Sequence, residues 1–166
     1  MMWYDVFFNG GFLAILGGAL AVILGGIGSA KGVNIVGEAG AGLLTEEPDR
    51  FGQVLLLQAL PGTQGIYGLL VAFIVMVKIG LLGGDPSTFA NLTTVQGFSI
   101  LTACLPIAIV GLISAVYQGK VAAAGVNIIT KRPEELAKGI VLAAMVETYA
   151  VLALLTSILM VNGIAL

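Results

Sequence analysis

Four long apolar segments follow one another along the chain, at roughly residues 7–30, 51–81, 98–119 and 139–163. A helix of about 20 apolar residues crosses the roughly 30 Å of hydrocarbon in a lipid bilayer. Each segment is long enough to do so. The pattern therefore predicts an all-α membrane protein with four transmembrane helices, and it leaves little chain for a domain outside the bilayer.

Composition supports this prediction and excludes several classes of site. Of the 166 residues, 58% are hydrophobic and 10% are charged, whereas about a quarter of the residues in a soluble domain are charged. The first segment is preceded by Asp5 and by no Lys or Arg, so we expect a retained helix and no cleaved signal peptide. One cysteine and no histidine provide neither a disulfide framework nor a zinc site.

Basic residues concentrate in or beside two connections, 31–50 and 120–138. They are Lys31, Arg50, Lys120, Lys131, Arg132 and Lys138. By the positive-inside rule these connections face the cytoplasm, and both termini and the 82–97 loop lie on the other side. Lys78 is the exception, and we expect it to reach the interface from the outer end of segment 2. An outer aromatic belt is predicted to include Trp3, Tyr4, Phe7 and Phe8.

The chain contains an internal duplication. LLTEEP at 43–48 and IITKRP at 128–133 match at a spacing of 85 residues, and each precedes an apolar segment. This predicts two tandem helical hairpins, residues 1–82 and 83–166. The same spacing sets Gly62 against Glu147, Thr63 against Thr148 and Gln64 against Tyr149. The second hairpin thus has an acid where the first has glycine.

Small residues recur every seven positions in segments 1 and 3. In segment 1 they are Gly11, Gly18, Gly25 and Gly32, with Ala14, Ala21 and Gly28; in segment 3 the series is Gly97, Cys104, Gly111, Gln118 and Gly125, with Ala108, Ala115 and Ala122. Such stripes let helix backbones approach closely. Because one chain is not expected to use both stripes fully, we infer a closed ring of copies, with helices 1 and 3 inside and the bulkier helices 2 and 4 outside. The alternative is that the stripes pack helices only within one chain.

A polar set is predicted at one depth in the bilayer. Counted from the cytoplasmic turns, Gln64, Gln118 and Glu147 each lie about 18 to 21 Å along their helices. Thr63 and Tyr67 flank this level on helix 2. Pro61 removes a backbone donor there and frees a carbonyl four residues earlier, which is that of Leu57.

An ionised carboxylate in the bilayer costs about 2.5 to 3.5 kcal/mol on insertion scales. We expect no Lys or Arg of this chain at that depth to neutralise Glu147, so the acid must bind a proton, a metal cation or a cationic group of another protein. Hydroxyl, amide and carboxylate oxygens suit hard cations. A proton requires only one acceptor, so the larger polar set favours sodium. The alternative for the two glutamines is hydrogen bonding between helices without any ion.

Four stretches connect the chain to a known family: GIGSAKG (26–32), LPGTQGIYG (60–68), QGKVAAAG (118–125) and AAMVETYA (143–150). In this order and spacing the chain resembles the K subunit, or proteolipid, of V-type ATPases, a duplicated relative of the ATP synthase c subunit. It is most similar to the sodium-translocating bacterial form. The resemblance covers nearly the whole sequence.

The resemblance implies a specific ion site. Glu147 is then the ion-carrying carboxylate, and Na⁺ is also held at Thr63, Gln64, Gln118 and the backbone carbonyl of Leu60. Tyr67 is expected to hydrogen-bond Glu147 and close the site. The proline argument indicates the carbonyl of Leu57 and the resemblance indicates that of Leu60, which we follow.

The resemblance also implies a role in a rotary pump. The chain is expected to form a ring of identical subunits that carries Na⁺, or alternatively H⁺ alone, on Glu147 during ATP-driven rotation in a bacterial plasma membrane. Expected partners are a stator membrane subunit with an essential arginine, central-stalk subunits at the cytoplasmic connections, and lipid, with no nucleic acid. ATP hydrolysis is expected in a separate complex and not on this chain. Loss of a carboxylate at Gly62 leaves one ion per four helices.

A small multidrug antiporter is the competing hypothesis. It also has four helices and a single intramembrane glutamate. Its acid is expected in the first helix of an unduplicated chain, whereas Glu147 lies in the fourth apolar segment and in the second repeat. A purely structural membrane proteolipid leaves the polar set unexplained.

Overall fold

Span 1 is one unbroken helix, Gly10–Glu46, in the computed structural model, which describes residues 9–166. The side chain of Asn9 caps it by accepting a 2.8 Å hydrogen bond from the backbone N–H of Gly11. Span 2 (Pro48–Lys78) is interrupted. It consists of a 3₁₀ turn Pro48–Arg50, a helix Phe51–Ala59, a second 3₁₀ turn Leu60–Gly62 and a helix Thr63–Lys78. The predicted aromatic belt lies outside the described residues.

The second hairpin has the same plan. Span 3 is the helix Thr94–Lys131, which Thr93 and Gln96 start with reciprocal side-chain to backbone hydrogen bonds. Span 4 (Pro133–Gly163) consists of a 3₁₀ turn Pro133–Glu135 and a helix Leu136–Gly163. A short helix, Pro86–Ala90, lies between spans 2 and 3. All four spans are long and apolar enough to cross a membrane, which confirms the predicted fold class.

Spans 1 and 3 extend beyond the segments predicted from hydropathy. Residues 31–46 and 120–131 were expected in connections, yet they continue the two helices to Glu46 and Lys131. Polar residues end an apolar run without ending a helix, and even Pro106 lies inside the helix of span 3. The connections are therefore tight turns that lead directly into Pro48 and Pro133.

The small-residue stripes are buried within a single chain. Spans 1 and 3 form the most extensive contact of the fold, and a Cβ added to Gly28 would lie only 2.7 Å from the Cα of Leu112. A Cβ on Gly25 would lie 2.8 Å from the carbonyl oxygen of Gln64 on span 2. Our expectation that one chain cannot use both stripes is therefore wrong. These glycines bring the helices of one chain together, and they carry no argument for a ring.

Spans 2 and 4 lie outside this central pair. Span 2 packs on span 1, span 4 packs on span 3, and spans 2 and 4 touch each other only locally. Large apolar side chains such as Leu55, Phe73 and Leu152 are exposed on their outer faces. Spans 1 and 3 also expose large apolar side chains, such as Ile23 and Phe98, so the outer position of spans 2 and 4 in a ring stays a prediction.

Two contacts show how the ends of the hairpins align. At one end, the Gln96 side chain donates a 3.0 Å hydrogen bond to the carbonyl of Ala165. At the other, the side-chain amide of Gln53 donates at 3.1 Å to the carbonyl of Pro133. The 79–93 connection and the C-terminal residues thus lie at one end of the bundle, and both proline turns lie at the other.

Candidate ion site between spans 2, 3 and 4

Three spans meet through a series of side-chain hydrogen bonds. The Nε2 of Gln64 on span 2 donates to the Oε1 of Gln118 on span 3 at 2.5 Å. The Nε2 of Gln118 donates in turn to the Oε2 of Glu147 on span 4 at 3.1 Å. Both glutamines are fully buried. The shared depth is what counting helical rises from the turns predicts, while the role of these residues as ligands stays a prediction.

Glu147 is also held from span 2. The hydroxyl of Tyr67 donates to its Oε1 at 2.5 Å. Tyr67 lies three residues after Gln64, so both side chains project from one face of the helix. The two carboxylate oxygens therefore accept hydrogen bonds from different spans, and Glu147 connects span 4 to both of its neighbours.

The 3₁₀ turn Leu60–Gly62 brings further oxygens to this level. The hydroxyl of Thr63 donates to the carbonyl of Leu60 at 3.0 Å and lies 3.3 Å from the Oε1 of Gln64. The side chain of Leu57 packs nearer to the proline turns, against Gly125 and Gly139. Of the two carbonyls considered from the sequence, that of Leu60 is hydrogen-bonded to a predicted site residue.

Sequence reasoning missed Ser114. Its hydroxyl donates to the carbonyl of Val146 at 3.1 Å and accepts from the Nε2 of Gln64 at 3.4 Å. Ser114 lies four residues before Gln118, and this spacing on one helical face is the signal that could have found it. A serine in an apolar helix more often bonds its own backbone, as Ser99 does to Val95 at 2.8 Å.

One basic residue, Lys120, lies near the depth of Glu147 without neutralising it. Lys120 is two residues from Gln118, which is about 3 Å along the helix axis. Two residues are also about 200° around the helix, so the two side chains project from opposite faces. Lys120 is exposed, and its Nζ lies 5.1 Å from the centre of the Tyr117 ring. It forms no ion pair with Glu147; the ion pairs in residues 9–166 are Arg50–Glu47 and Lys138–Glu135.

The chemistry of the site is that of one carboxylate among neutral oxygens. Within residues 9–166 no three His, Cys, Asp or Glu side chains cluster as metal ligands. The available donors are the carbonyl of Leu60, the hydroxyl of Thr63, the two glutamine amides and Glu147. Such oxygens suit a hard cation, and a single negative charge balances one positive charge.

Fold and site together define a class: a four-span membrane protein of two tandem hairpins, with one partly buried carboxylate between them. The sequence profile of the ATP synthase c subunit family matches the chain twice, at residues 16–75 and 101–160. The chain belongs to this family, in a form that contains the hairpin twice.

Two characterised relatives are similar over most of the sequence. The V-type sodium ATPase subunit K of Enterococcus hirae is 51% identical over 162 residues, which cover 97% of this chain and 98% of the relative. The A-type ATP synthase subunit K of Methanocaldococcus jannaschii is 35% identical over 152 residues, which cover 92% of this chain and 63% of the relative. Family membership and the four apolar spans make this chain an integral membrane protein.

Proposed function

We propose that this protein is the ion-carrying rotor subunit of a V-type ATPase and that its cargo is Na⁺, bound at Glu147. The observation that supports this most is a partly buried carboxylate that accepts hydrogen bonds from Gln118 and Tyr67, lies at the level of further oxygens, and has no cationic partner in residues 9–166. The relative named V-type sodium ATPase subunit K, 51% identical over nearly the whole chain, supports the choice of assembly and of ion.

Charge and donor chemistry favour a monovalent metal ion. One carboxylate neutralises one unit of positive charge, so Na⁺ makes the site neutral and a divalent ion leaves it charged in a low-dielectric surrounding. The carbonyl of Leu60, the hydroxyl of Thr63 and the amide oxygen of Gln64 provide further oxygens at the level of the site. A proton needs only one acceptor, so proton binding does not require the oxygens of Leu60, Thr63 and Gln64.

Gln118 connects the glutamate to the other ligands. Its Nε2 donates to Glu147 and its Oε1 accepts from Gln64. We infer that ion binding replaces part of this hydrogen bonding, because the Oε1 of Gln118 must then face the cation. Tyr67 continues to hold the other carboxylate oxygen and keeps the side chain directed into the bundle.

Neutralisation explains how rotation can expose the site to lipid. A charged carboxylate at this depth is costly, whereas a neutral ion complex is less so. Glu147 is only partly buried, and an open groove beside it is lined by Ala144, Thr148 and Val151. In this account a stator subunit approaches span 4 there. An arginine on that subunit pairs with the emptied carboxylate and prevents leakage of ions.

The remaining parts of the assembly follow from the same role. Copies form a ring with spans 1 and 3 inside and spans 2 and 4 outside, where their large apolar side chains meet lipid. The proline turns and the basic residues near them face the cytoplasm of a bacterial cell and contact central-stalk subunits. ATP is hydrolysed in a separate complex.

A single carboxylate per four spans has an energetic consequence. The first hairpin has Gly62 where the second has Glu147, so each chain carries one ion per rotation. For a fixed number of ATP molecules per turn, fewer ions share the same free energy. Each ion can then be driven against a steeper gradient, which suits a pump.

Carbodiimide labelling of the assembled protein tests the proposal. The reagent should modify Glu147, and Na⁺ should slow the modification at constant pH and ionic strength, whereas choline should not. Glu38, an exposed acid on span 1, is the internal control, and its labelling should not depend on Na⁺. If pH alone changes the labelling rate at Glu147, the cargo is H⁺. If Glu147 is not labelled under any condition, the proposed site is wrong.

A further inference from the structure

Gly62 occupies the position that corresponds to Glu147, and it is nearly unobstructed. A Cβ added to Gly62 would meet only the Cγ2 of Val33, at 3.8 Å. Many other glycines of the bundle face a neighbouring backbone at under 3 Å, as Gly28 does. Close packing within the chain therefore does not explain the absence of a side chain at residue 62.

The two repeats have equivalent residues around Gly62 and Glu147. The ranges matched by the family profile begin at residues 16 and 101, and the same spacing of 85 sets Val33 against Gln118. In the second hairpin Gln118 contacts Glu147, and in the first a Cβ at Gly62 would lie against the side chain of Val33. The first hairpin thus has the same backbone arrangement as the second at these two positions. It has valine in place of the glutamine and glycine in place of the glutamate.

Gly62 and Tyr149 lie on opposite edges of the chain. Gln64 faces spans 3 and 4, and Gly62 is about 200° from it around the helix, so Gly62 faces away from the second hairpin. Glu147 faces span 2 through Tyr67. Tyr149 is about 200° from Glu147 and therefore faces away from the first hairpin.

Tyr149 lies unpartnered at the depth of the site. It is 67% exposed, it is two residues from Glu147, and its hydroxyl has no hydrogen-bond partner within residues 9–166. It lines an open groove between spans 3 and 4 with Val110, Ile113 and Tyr117. A tyrosine hydroxyl in hydrocarbon without a partner is unfavourable, so this edge is unsuited to face lipid alone.

We propose that neighbouring copies of the chain meet with Tyr149 of one copy seated over Gly62 and Val33 of the next. The proposal rests on the ring assembly of the proposed function. A ring joins two different surfaces of each subunit in a head-to-tail contact, and here the two edges are at matching depth. Within the chain, Gln64 contacts Gln118, which in turn contacts Glu147; between copies, its counterpart Tyr149 contacts Val33, the counterpart of Gln118, beside Gly62.

This contact fills the space beside Gly62 and Val33 with the side chain of Tyr149. The tyrosine ring fills the space that a carboxylate at residue 62 and a glutamine at residue 33 would take. By the same spacing of 85, Ser29 corresponds to Ser114, which accepts a hydrogen bond from Gln64. The hydroxyl of Tyr149 is therefore directed toward Ser29 of the neighbouring copy. An interface filled in this way holds no ion.

Photo-crosslinking of the intact assembly tests the contact directly. Tyr149→p-benzoylphenylalanine places the reactive group at the tyrosine ring, and irradiation in native membranes should join chains to one another. Peptide mass mapping should locate the adduct at or beside Gly62 and Val33. The matched control, Thr148→p-benzoylphenylalanine, lies one residue away on the lipid-facing side of span 4 and should give no adduct with that segment.

Two results separate this inference from the ring itself. If the mass of the intact assembly shows a ring while the Tyr149 probe reacts only with lipid, with its own chain or with other segments, the contact is overturned. If the mass shows single chains, the proposed function fails and the contact fails with it.

A steric exchange provides a test without a photoprobe. Gly62→Phe should lower the temperature at which the ring dissociates into chains on a denaturing gel, because the tyrosine then has no space. Adding Tyr149→Ala to Gly62→Phe should restore a large part of that loss. An unchanged dissociation temperature for Gly62→Phe, or no recovery in the double variant, contradicts the proposal.

Discussion

The two hairpins of this protein share one plan and differ in what their equivalent positions can bind. In the second hairpin, Gln118 and Glu147 form a polar pair at the depth of the site. In the first, Val33 and Gly62 occupy the equivalent positions and offer neither charge nor hydrogen bond. Duplication followed by loss thus leaves one carboxylate for four helices.

In the proposed site, neither hairpin is sufficient by itself. The first hairpin lacks the acid, yet its Tyr67 hydrogen-bonds Glu147 and its Gln64 reaches Glu147 through Gln118. A hairpin can therefore lose its own carboxylate and keep the residues that serve its neighbour. Substitutions in each hairpin should have unequal and predictable effects on ion binding.

The largest effect is expected from Glu147→Gln. Without the carboxylate no charge balances the cation, and ATP-driven Na⁺ uptake into vesicles that contain the assembled ATPase should be abolished. Glu38→Gln, which changes an exposed acid that accepts from Asn34 at 2.8 Å, should leave uptake unchanged. Uptake that survives Glu147→Gln would place the ion elsewhere in the protein.

Gln64→Ala should have the next largest effect. The change removes an oxygen that the proposal places on the ion, a loss of about 1 to 3 kcal/mol of polar contact. Affinity for Na⁺, measured with radioactive sodium, should fall about fivefold to a hundredfold. Gln58→Ala is the matched control, since Gln58 lies on the same span and its amide reaches only the carbonyl of Val33, at 3.5 Å. Equal losses in both variants would argue against a ligand role for Gln64.

Tyr67→Phe should change the rate at which the bound ion exchanges more than it changes the number of ions bound. One hydrogen bond to the carboxylate is lost, so Glu147 leaves the bundle more readily. Bound radioactive sodium should exchange about tenfold faster, and carbodiimide should label Glu147 faster. Tyr117→Phe alters an exposed tyrosine of span 3 and should change neither rate. If the exchange rate of Tyr67→Phe equals that of the unaltered protein, Tyr67 does not close the site.

The smallest effect is expected from Ser114→Ala. The serine hydroxyl accepts from Gln64 and donates to the backbone next to Glu147, so it orients ligands without touching the ion. Its loss, at about 0.5 to 1.5 kcal/mol, should weaken Na⁺ binding about threefold to tenfold. Ser99→Ala, which removes a hydroxyl bonded within its own helix, should have no effect on affinity. A loss above that of Gln64→Ala would make Ser114 a direct ligand.

Much of the fold was predictable because bilayer chemistry allows few alternatives. Four apolar runs and two matching proline turns are enough to predict two hairpins of spanning helices. Hydropathy did not predict where the helices end. It reports which residues suit the hydrocarbon of the bilayer, but it does not report where the hydrogen bonding of the backbone stops. Residues 31–46 continue span 1 for this reason.

The use of the small-residue stripes was also misjudged from the sequence. A glycine stripe shows that a helix has a close neighbour, but it does not show whether the neighbour belongs to the same chain. Spans 1 and 3 turn out to be each other's neighbour. Any interface between copies must therefore be sought at the outer edges of the hairpins, where Gly62 and Tyr149 lie.

Within the site, the depth of Gln64, Gln118 and Glu147 followed from helical rise alone. Ser114 could not be distinguished from an ordinary intramembrane serine until the direction of its hydroxyl was known. Lys120 lies near the same depth but projects from the opposite face of span 3, and depth alone does not show this. Rise and rotation must be used together to place a polar side chain in a bundle of this kind.

The most direct test of the account is the number of sodium ions bound to the purified assembly at saturation. We predict one Na⁺ for each 166-residue chain, at a site lost in Glu147→Gln and retained in Glu38→Gln. Two ions per chain would show that the first hairpin still has a site. Absence of Na⁺ binding, or binding that Glu147→Gln leaves intact, would contradict the central claim that this carboxylate holds the transported ion.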